Sequence, residues 1–224
     1  GYSGTRIDRL GASEYTLVAI ATDASGSVGG FRKEITACIG TTLEACRQAP
    51  RADNLMVRIT QFGSSVKELQ GFAPLHTVKT PSLSIGGTTA LYDAAVNAVA
   101  ATTDYARDLV SNGLSANAIV FVITDGGDNA STLTASRVAD AVRTAVADEY
   151  LESVVTVLIG VNVADAGLAK RLMTFSAEAG FDHYLELAKA DAGTLARLAD
   201  FLSRSIAAQS RVLGTGGPSQ VLSF

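Results

Sequence analysis

The chain reads as an α/β protein. The expected architecture is a doubly wound, mainly parallel six-stranded sheet with one antiparallel edge strand and helices on both faces. Three observations predict this. Three near-continuous apolar runs, "YTLVAIAT" (15–22), "NAIVFVIT" (117–124) and "SVVTVLIGV" (153–161), have the length and composition of strands buried on both faces. Segments with apolar residues at helical spacing separate them. Strand-like and helix-like stretches alternate along the chain, which implies right-handed crossovers and a mainly parallel sheet.

Each element follows in order. After 15–22 comes a helix over 31–46, with Phe31, Ile35, Cys38, Ile39, Thr42, Leu43 and Cys46 at helical spacing. "NLMVRITQF" (54–62) alternates and predicts a strand. "GSS" turns the chain into "VKELQGF" (66–72), polar enough for an exposed edge strand. A loop containing Pro and Ser leads through "GGTT" (86–89) to a helix of about 91–110. The strand 117–124 leads through "DGGDNAST" to a helix of about 134–149. The strand 153–161 precedes a helix over 164–180 that ends at Gly180. "HYLEL" (183–187) is a short strand, and 191–208 is the last helix, with Asp191 as its N-cap. Residues 1–14 form an N-terminal extension, and 209–224 a flexible or docking tail rich in Gly, Ser and Pro.

Composition bounds the function. The 224 residues suit one α/β domain with a full core, and 47 % apolar content argues against disorder. A net charge of −4 gives no electrostatic footprint for nucleic acid or an anionic membrane. The apolar runs are too short to span a bilayer. Residues 1–14 lack the apolar core of a secretory signal. Cys38 and Cys46 lie eight residues apart in one helix, roughly 12 Å along its axis, too far for a disulfide. Both read as core residues, and free thiols favour a reducing compartment, hence a cytoplasmic location.

Three loops carry the chemistry. Asp23-Ala24-Ser25-Gly26-Ser27 follows the first strand, Gly86-Gly87-Thr88-Thr89 opens a helix, and Asp125-Gly126-Gly127-Asp128 follows a buried strand. Singly, Asp23 reads equally well as a turn residue, Ser25 and Ser27 as helix caps, Thr88 or Thr89 as an N-cap, and Asp125 as an Asx-turn. In a parallel sheet, however, loops at the carboxyl ends of the strands converge where ligands bind. Together they supply two carboxylates and several hydroxyls. Neither His76 nor His183 belongs to them, and neither thiol is near. An all-oxygen set suits a hard cation, Mg²⁺ above all, with Mn²⁺ or Ca²⁺ possible.

Asp-x-Ser-x-Ser, a threonine in "GGTT" and "ITDG", in this order after these strands, resemble a von Willebrand factor type A (vWA) domain with an intact metal-ion-dependent adhesion site (MIDAS). The resemblance covers about 15–208, and the chain is similar to bacterial intracellular members. It implies that Ser25 and Ser27 bind the metal directly and that Asp23 and Asp125 often act through water. It implies that Thr88 supplies the loop-two ligand, because Thr88 directly follows the glycine pair and leaves Thr89 to cap the helix.

The expected function is a Mg²⁺-dependent protein-interaction domain whose metal takes an Asp or Glu from a partner. Two alternatives stand beside it, a Mg²⁺-dependent phosphoryl-transfer or hydrolytic enzyme and a structural assembly subunit. The enzyme is disfavoured, since the loops lack a general base and the chain lacks the Gly-x₄-Gly-Lys-Ser/Thr phosphate loop. Asp128 reads as a solvated loop residue, and Asp93 as a carboxylate complementing its helix dipole.

Overall fold

A computed structural model describes residues 1–215 and 224. Strands β1 (Glu14–Asp23), β2 (Leu55–Phe62), β3 (Val66–Pro74), β4 (Ser115–Thr124), β5 (Val154–Val161) and β6 (His183–Leu187) form one sheet in the order β3-β2-β1-β4-β5-β6. Among the described strands only the β2–β3 pair is antiparallel. The helices are α1 (Arg32–Arg47), α2 (Leu91–Ser111), α3 (Ala135–Ala147), α4 (Ala166–Ala179) and α5 (Ala192–Val212).

The expected architecture is present. β1 and β4 are central, and nine of the ten residues in each are buried. That is why both read as continuous apolar runs. On one face Val18, Ile20, Ile119 and Phe121 pack against Ile39 and Leu43 of α1 and Leu198 and Leu202 of α5. On the other, Ala19, Ala21, Val120 and Val122 pack against Leu91 and Ala95 of α2, Val138 of α3 and Phe175 of α4. The chain builds outward from β1 to β2 and β3. It then crosses the sheet through α2 to place β4 on the other side of β1. The order reverses between β1 and β4, so their carboxyl ends bound the crevice where open α/β sheets take ligands.

Local signals at helix ends hold. Gly180 adopts a left-handed conformation, φ 72°, and closes α4. The Asp191 side chain accepts the Thr194 N–H and caps α5. The last helix runs to Val212 rather than 208. Gln209 is fully buried, and its Nε2 donates to Ala118 O (3.1 Å) and Ser153 Oγ (3.0 Å), so the tail cannot begin there. The rest of the tail, 216–223, lies outside the described residues.

The β3 edge differs from its expected exposure. Residues 3–5 lie along it: Thr5 N–H donates to Phe72 O (2.7 Å), and Phe72 N–H to Ser3 O (2.9 Å). Glu68 takes the Ser3 hydroxyl (2.5 Å) and the Arg58 Nε (2.7 Å). Burial opposes the charge on Glu68, but the bonds from Ser3 and Arg58 outweigh it and hold the carboxyl below its usual range. Tyr2 packs edge-on against Phe72 and Tyr105. The N-terminal extension thus blunts an edge that would otherwise offer unpaired backbone groups.

Candidate metal centre

The strand ends bring the three loops together. Asp23 closes β1 and is 2 % exposed. Its Oδ1 accepts the Ser25 N–H (2.8 Å), and its Oδ2 accepts the Thr124 hydroxyl at the end of β4 (2.8 Å). Both carboxylate oxygens are therefore fixed, and Ser25 is turned back over the strand end. From there a 3₁₀ turn over Gly26–Phe31 carries the chain into α1. Ser25 Oγ stands 3.1 Å from Ser27 Oγ, which donates to Asp125 Oδ1 at 2.9 Å.

Backbone bonds knit the loops. Gly86 N–H donates to Ala24 O (2.8 Å), and Gly26 N–H to Gly87 O (3.1 Å). Gly87 has φ 81°, a conformation that L side chains rarely adopt, so the glycine is needed for the turn. Asn129 N–H donates to Thr89 O (3.0 Å), while Asn129 Oδ1 accepts the Thr89 N–H (2.7 Å).

This register changes the threonine. Thr88 is exposed, and its hydroxyl bonds Ser64 Oγ at 3.0 Å in the β2–β3 turn. Thr89 is 4 % exposed, and its Oγ1 lies 3.7 Å from where a Cβ on Gly126 would stand. The expected cap is also displaced: Ala90 holds the N-cap position of α2, with no side-chain cap. Thr89 is therefore free of capping, and it is Thr89, not Thr88, that faces the Asp125 loop. A Thr-Thr pair must send its two hydroxyls different ways, and the glycines ahead of it do not say which way each goes.

Three further residues escaped sequence reasoning. Thr124 clamps Asp23, Ser64 holds Thr88, and Asn129 holds Thr89. Asp93 and Asp128 do more than expected. Asp93 Oδ1 accepts the Leu133 N–H (2.8 Å), and Asp128 Oδ1 accepts the Tyr92 N–H (3.3 Å) and the Ser131 hydroxyl (2.5 Å). They staple the third loop to the start of α2. The only sequence signal was a cluster of Asp, Asn and Ser, which also reads as an ordinary loop.

The electrostatics favour a cation. Burial, then the Asp23 charge, pushes the Asp125 carboxyl up to about 6, against the lowering effect of the Ser27 hydroxyl. Two carboxylates thus face each other, and among the described residues no cationic side chain is bonded to either. Neighbouring oxygens of an octahedral Mg²⁺ shell, at about 2.0–2.1 Å from the ion, stand about 2.9 Å apart. The 3.1 Å and 2.9 Å spacings in the Ser25–Ser27–Asp125 row match that edge. The residues fit a hard divalent cation. Among the described residues there is no metal-holding cluster of three or more His, Cys, Asp or Glu, so the set depends on its hydroxyls.

His183 opens β6 level with Val157 in the middle of β5, and His76 lies in the turn after β3; neither belongs to the three loops. Cys38 and Cys46 are buried free thiols in α1. No described helix is long and apolar enough to cross a membrane.

No protein-family model and no curated protein matches the chain. Solved structures do. A minor pilin, PilB from Streptococcus sanguinis, is 15 % identical over 92 % of this chain and 64 % of its own, with a TM-score of 0.61. Proximal thread matrix protein 1 from the mussel byssus, with a zinc-occupied MIDAS motif, is 18 % identical over 87 % of this chain and 46 % of its own, TM-score 0.54. A von Willebrand factor type A protein from Catenulispora acidiphila is 15 % identical over 87 % of this chain and 43 % of its own, TM-score 0.53. This chain spans less than two thirds of each. At these identities the likeness concerns the fold, and on that basis the chain has a vWA-like, Rossmann-like α/β fold.

Proposed function

We propose that the chain is a protein-interaction module that holds one divalent cation and offers its open position to an Asp or Glu of a partner. The ligand set is Asp23, Ser25, Ser27, Thr89 and Asp125, with Thr89 replacing the expected Thr88. The row of three oxygens spaced 3.1 Å and 2.9 Å, closed by a half-buried acid, carries this reading. When bound, the cation supplies Lewis acidity toward a carboxylate. The chain's own contribution is orientation: Asp23 is locked by Ser25 N–H and Thr124, so the loop-one hydroxyls are presented in fixed positions.

The donor set is hard oxygen throughout, so Mg²⁺ is the proposed ion, with Mn²⁺ or Ca²⁺ able to replace it. Three of the five donors are neutral hydroxyls, so a bound ion retains positive character and draws an acidic group. We place the chain among binding proteins rather than enzymes because no histidine or thiol reaches the site to serve as a base. The free thiols suit a reducing cytoplasm. Affinity capture with Mg²⁺, with EDTA and with Asp23→Ala tests the reading. Partners should be held only by the wild type with Mg²⁺; capture unchanged by EDTA would overturn it.

A further inference from the structure

We propose that Arg171 is a second recognition point on the same face, binding a second carboxylate of the ligand whose first carboxylate the cation takes. This rests on the function proposed above.

The placement begins with α4. Leu168, Arg171 and Phe175 are spaced by three and four residues and share one face of that helix. Phe175 packs against Tyr92 in the first turn of α2, with ring centroids 4.8 Å apart and planes tilted by 40°. Leu168 Cδ1 stands 3.8 Å, and Arg171 Nε 3.9 Å, from where a Cβ on Gly127 would lie. The helix is thus seated beside the third loop, and the guanidinium lies over Gly127, two residues from Asp125.

The guanidinium is also uncommitted. Arg171 is exposed and makes no ion pair or hydrogen bond among the described residues. Two acids of the neighbouring loops each commit one carboxylate oxygen within the protein. Asp165 Oδ1 accepts the Leu168 N–H (2.7 Å), and Asp128 Oδ1 accepts the Tyr92 N–H and the Ser131 hydroxyl. An exposed arginine fork beside the third loop, with no partner among the described residues, selects for a bidentate acceptor from outside. The ligand class is a segment with two carboxylates, one for the cation and one for Arg171.

The test uses the full chain at saturating Mg²⁺, followed by NMR chemical-shift titration. The probes are acetate and a series of straight-chain dicarboxylates from succinate to pimelate. The best dicarboxylate should bind about fivefold tighter than acetate, after correction for its two equivalent ends. Arg171→Ala should remove that preference while leaving acetate and Mg²⁺ affinity unchanged, and Arg171→Lys should fall between. A dicarboxylate preference that survives Arg171→Ala, or no preference in the wild type, overturns the proposal. A wild type that takes Mg²⁺ but responds to neither acid overturns the carboxylate-binding function itself, and the proposal with it.

Discussion

Replacing Asp125 by Asn should stabilise the metal-free protein and abolish its response to metal. In the folded chain burial and Asp23 push this carboxyl up to about 6, whereas unfolded it titrates near its ordinary value of about 3.9. Between those values the folded state holds a proton that the unfolded state has released. The wild type therefore loses stability as pH rises from about 4 to about 6, and the loss is complete above that window. A displacement of that size corresponds to about 3 kcal/mol. The carboxyl is partly exposed, and solvent screening reduces this to about 1 kcal/mol. Asparagine keeps the acceptor for the Ser27 hydroxyl and carries no charge. In EDTA at pH 8 the variant should melt about 2–4 °C above the wild type, and at pH 4 the two should coincide. At a Mg²⁺ concentration a hundred times its dissociation constant the wild type gains about 2.7 kcal/mol, and the variant should gain little of it. Thermal melts in EDTA and Mg²⁺ across that pH range provide the assay. A variant that melts lower in EDTA at pH 8 would show that the Asp125 charge does not destabilise the metal-free fold, and one that keeps the full Mg²⁺ shift would show that Asp125 is not a ligand.

The paired threonines give a second prediction: Thr89→Val should lose most of the Mg²⁺-dependent rise in melting temperature while Thr88→Val keeps it, and the reverse result would restore Thr88 as the ligand. Burial pushes the Cys38 and Cys46 thiols up to about 12, so neither should react appreciably with iodoacetamide at pH 8 until denaturant is added; mass spectrometry showing rapid native labelling would contradict that burial. Gly71→Ala would drive a Cβ to within 2.5 Å of Ser3 O, so residues 2–5 should leave the β3 edge at a cost of about 1–3 kcal/mol. Hydrogen exchange at Thr5 and Phe72 reports this directly, and unchanged protection there would show that the segment is not packed as described.

Much of the fold was legible because burial on both faces leaves an unmistakable trace. β1, β4 and β5 are apolar runs of strand length, and the helices between them carry their apolar stripes at 3.6-residue spacing. Asp23, Ser25, Ser27 and Asp125 were legible as candidates because strand ends in a parallel sheet converge. The misreadings came where tertiary contacts decide. Thr88 and Thr89 are chemically identical, and only Ser64 and Gly126, distant in sequence, determine which way each points. The end of α5 depends on Gln209 finding Ala118 O and Ser153 Oγ inside the protein, which no local propensity encodes. Residues 1–14 have too little periodicity to signal that Ser3 and Thr5 would pair with Phe72. Asp93 and Asp128 show the same limit: their carboxylates bridge a helix start and a loop some forty residues apart.

We propose that the hydroxyls and carboxylates at the β1–β4 edge hold one hard divalent cation. Mn²⁺ titration followed by electron paramagnetic resonance measures this, because the free aqueous ion gives a strong signal that weakens on binding. The wild type should take up one Mn²⁺ per chain, displaced by excess Mg²⁺, and Asp23→Ala, checked for its fold by circular dichroism, should take up none in the same range. A wild type that leaves the free-ion signal intact, or a folded Asp23→Ala that binds as the wild type does, would show that these residues do not hold the cation.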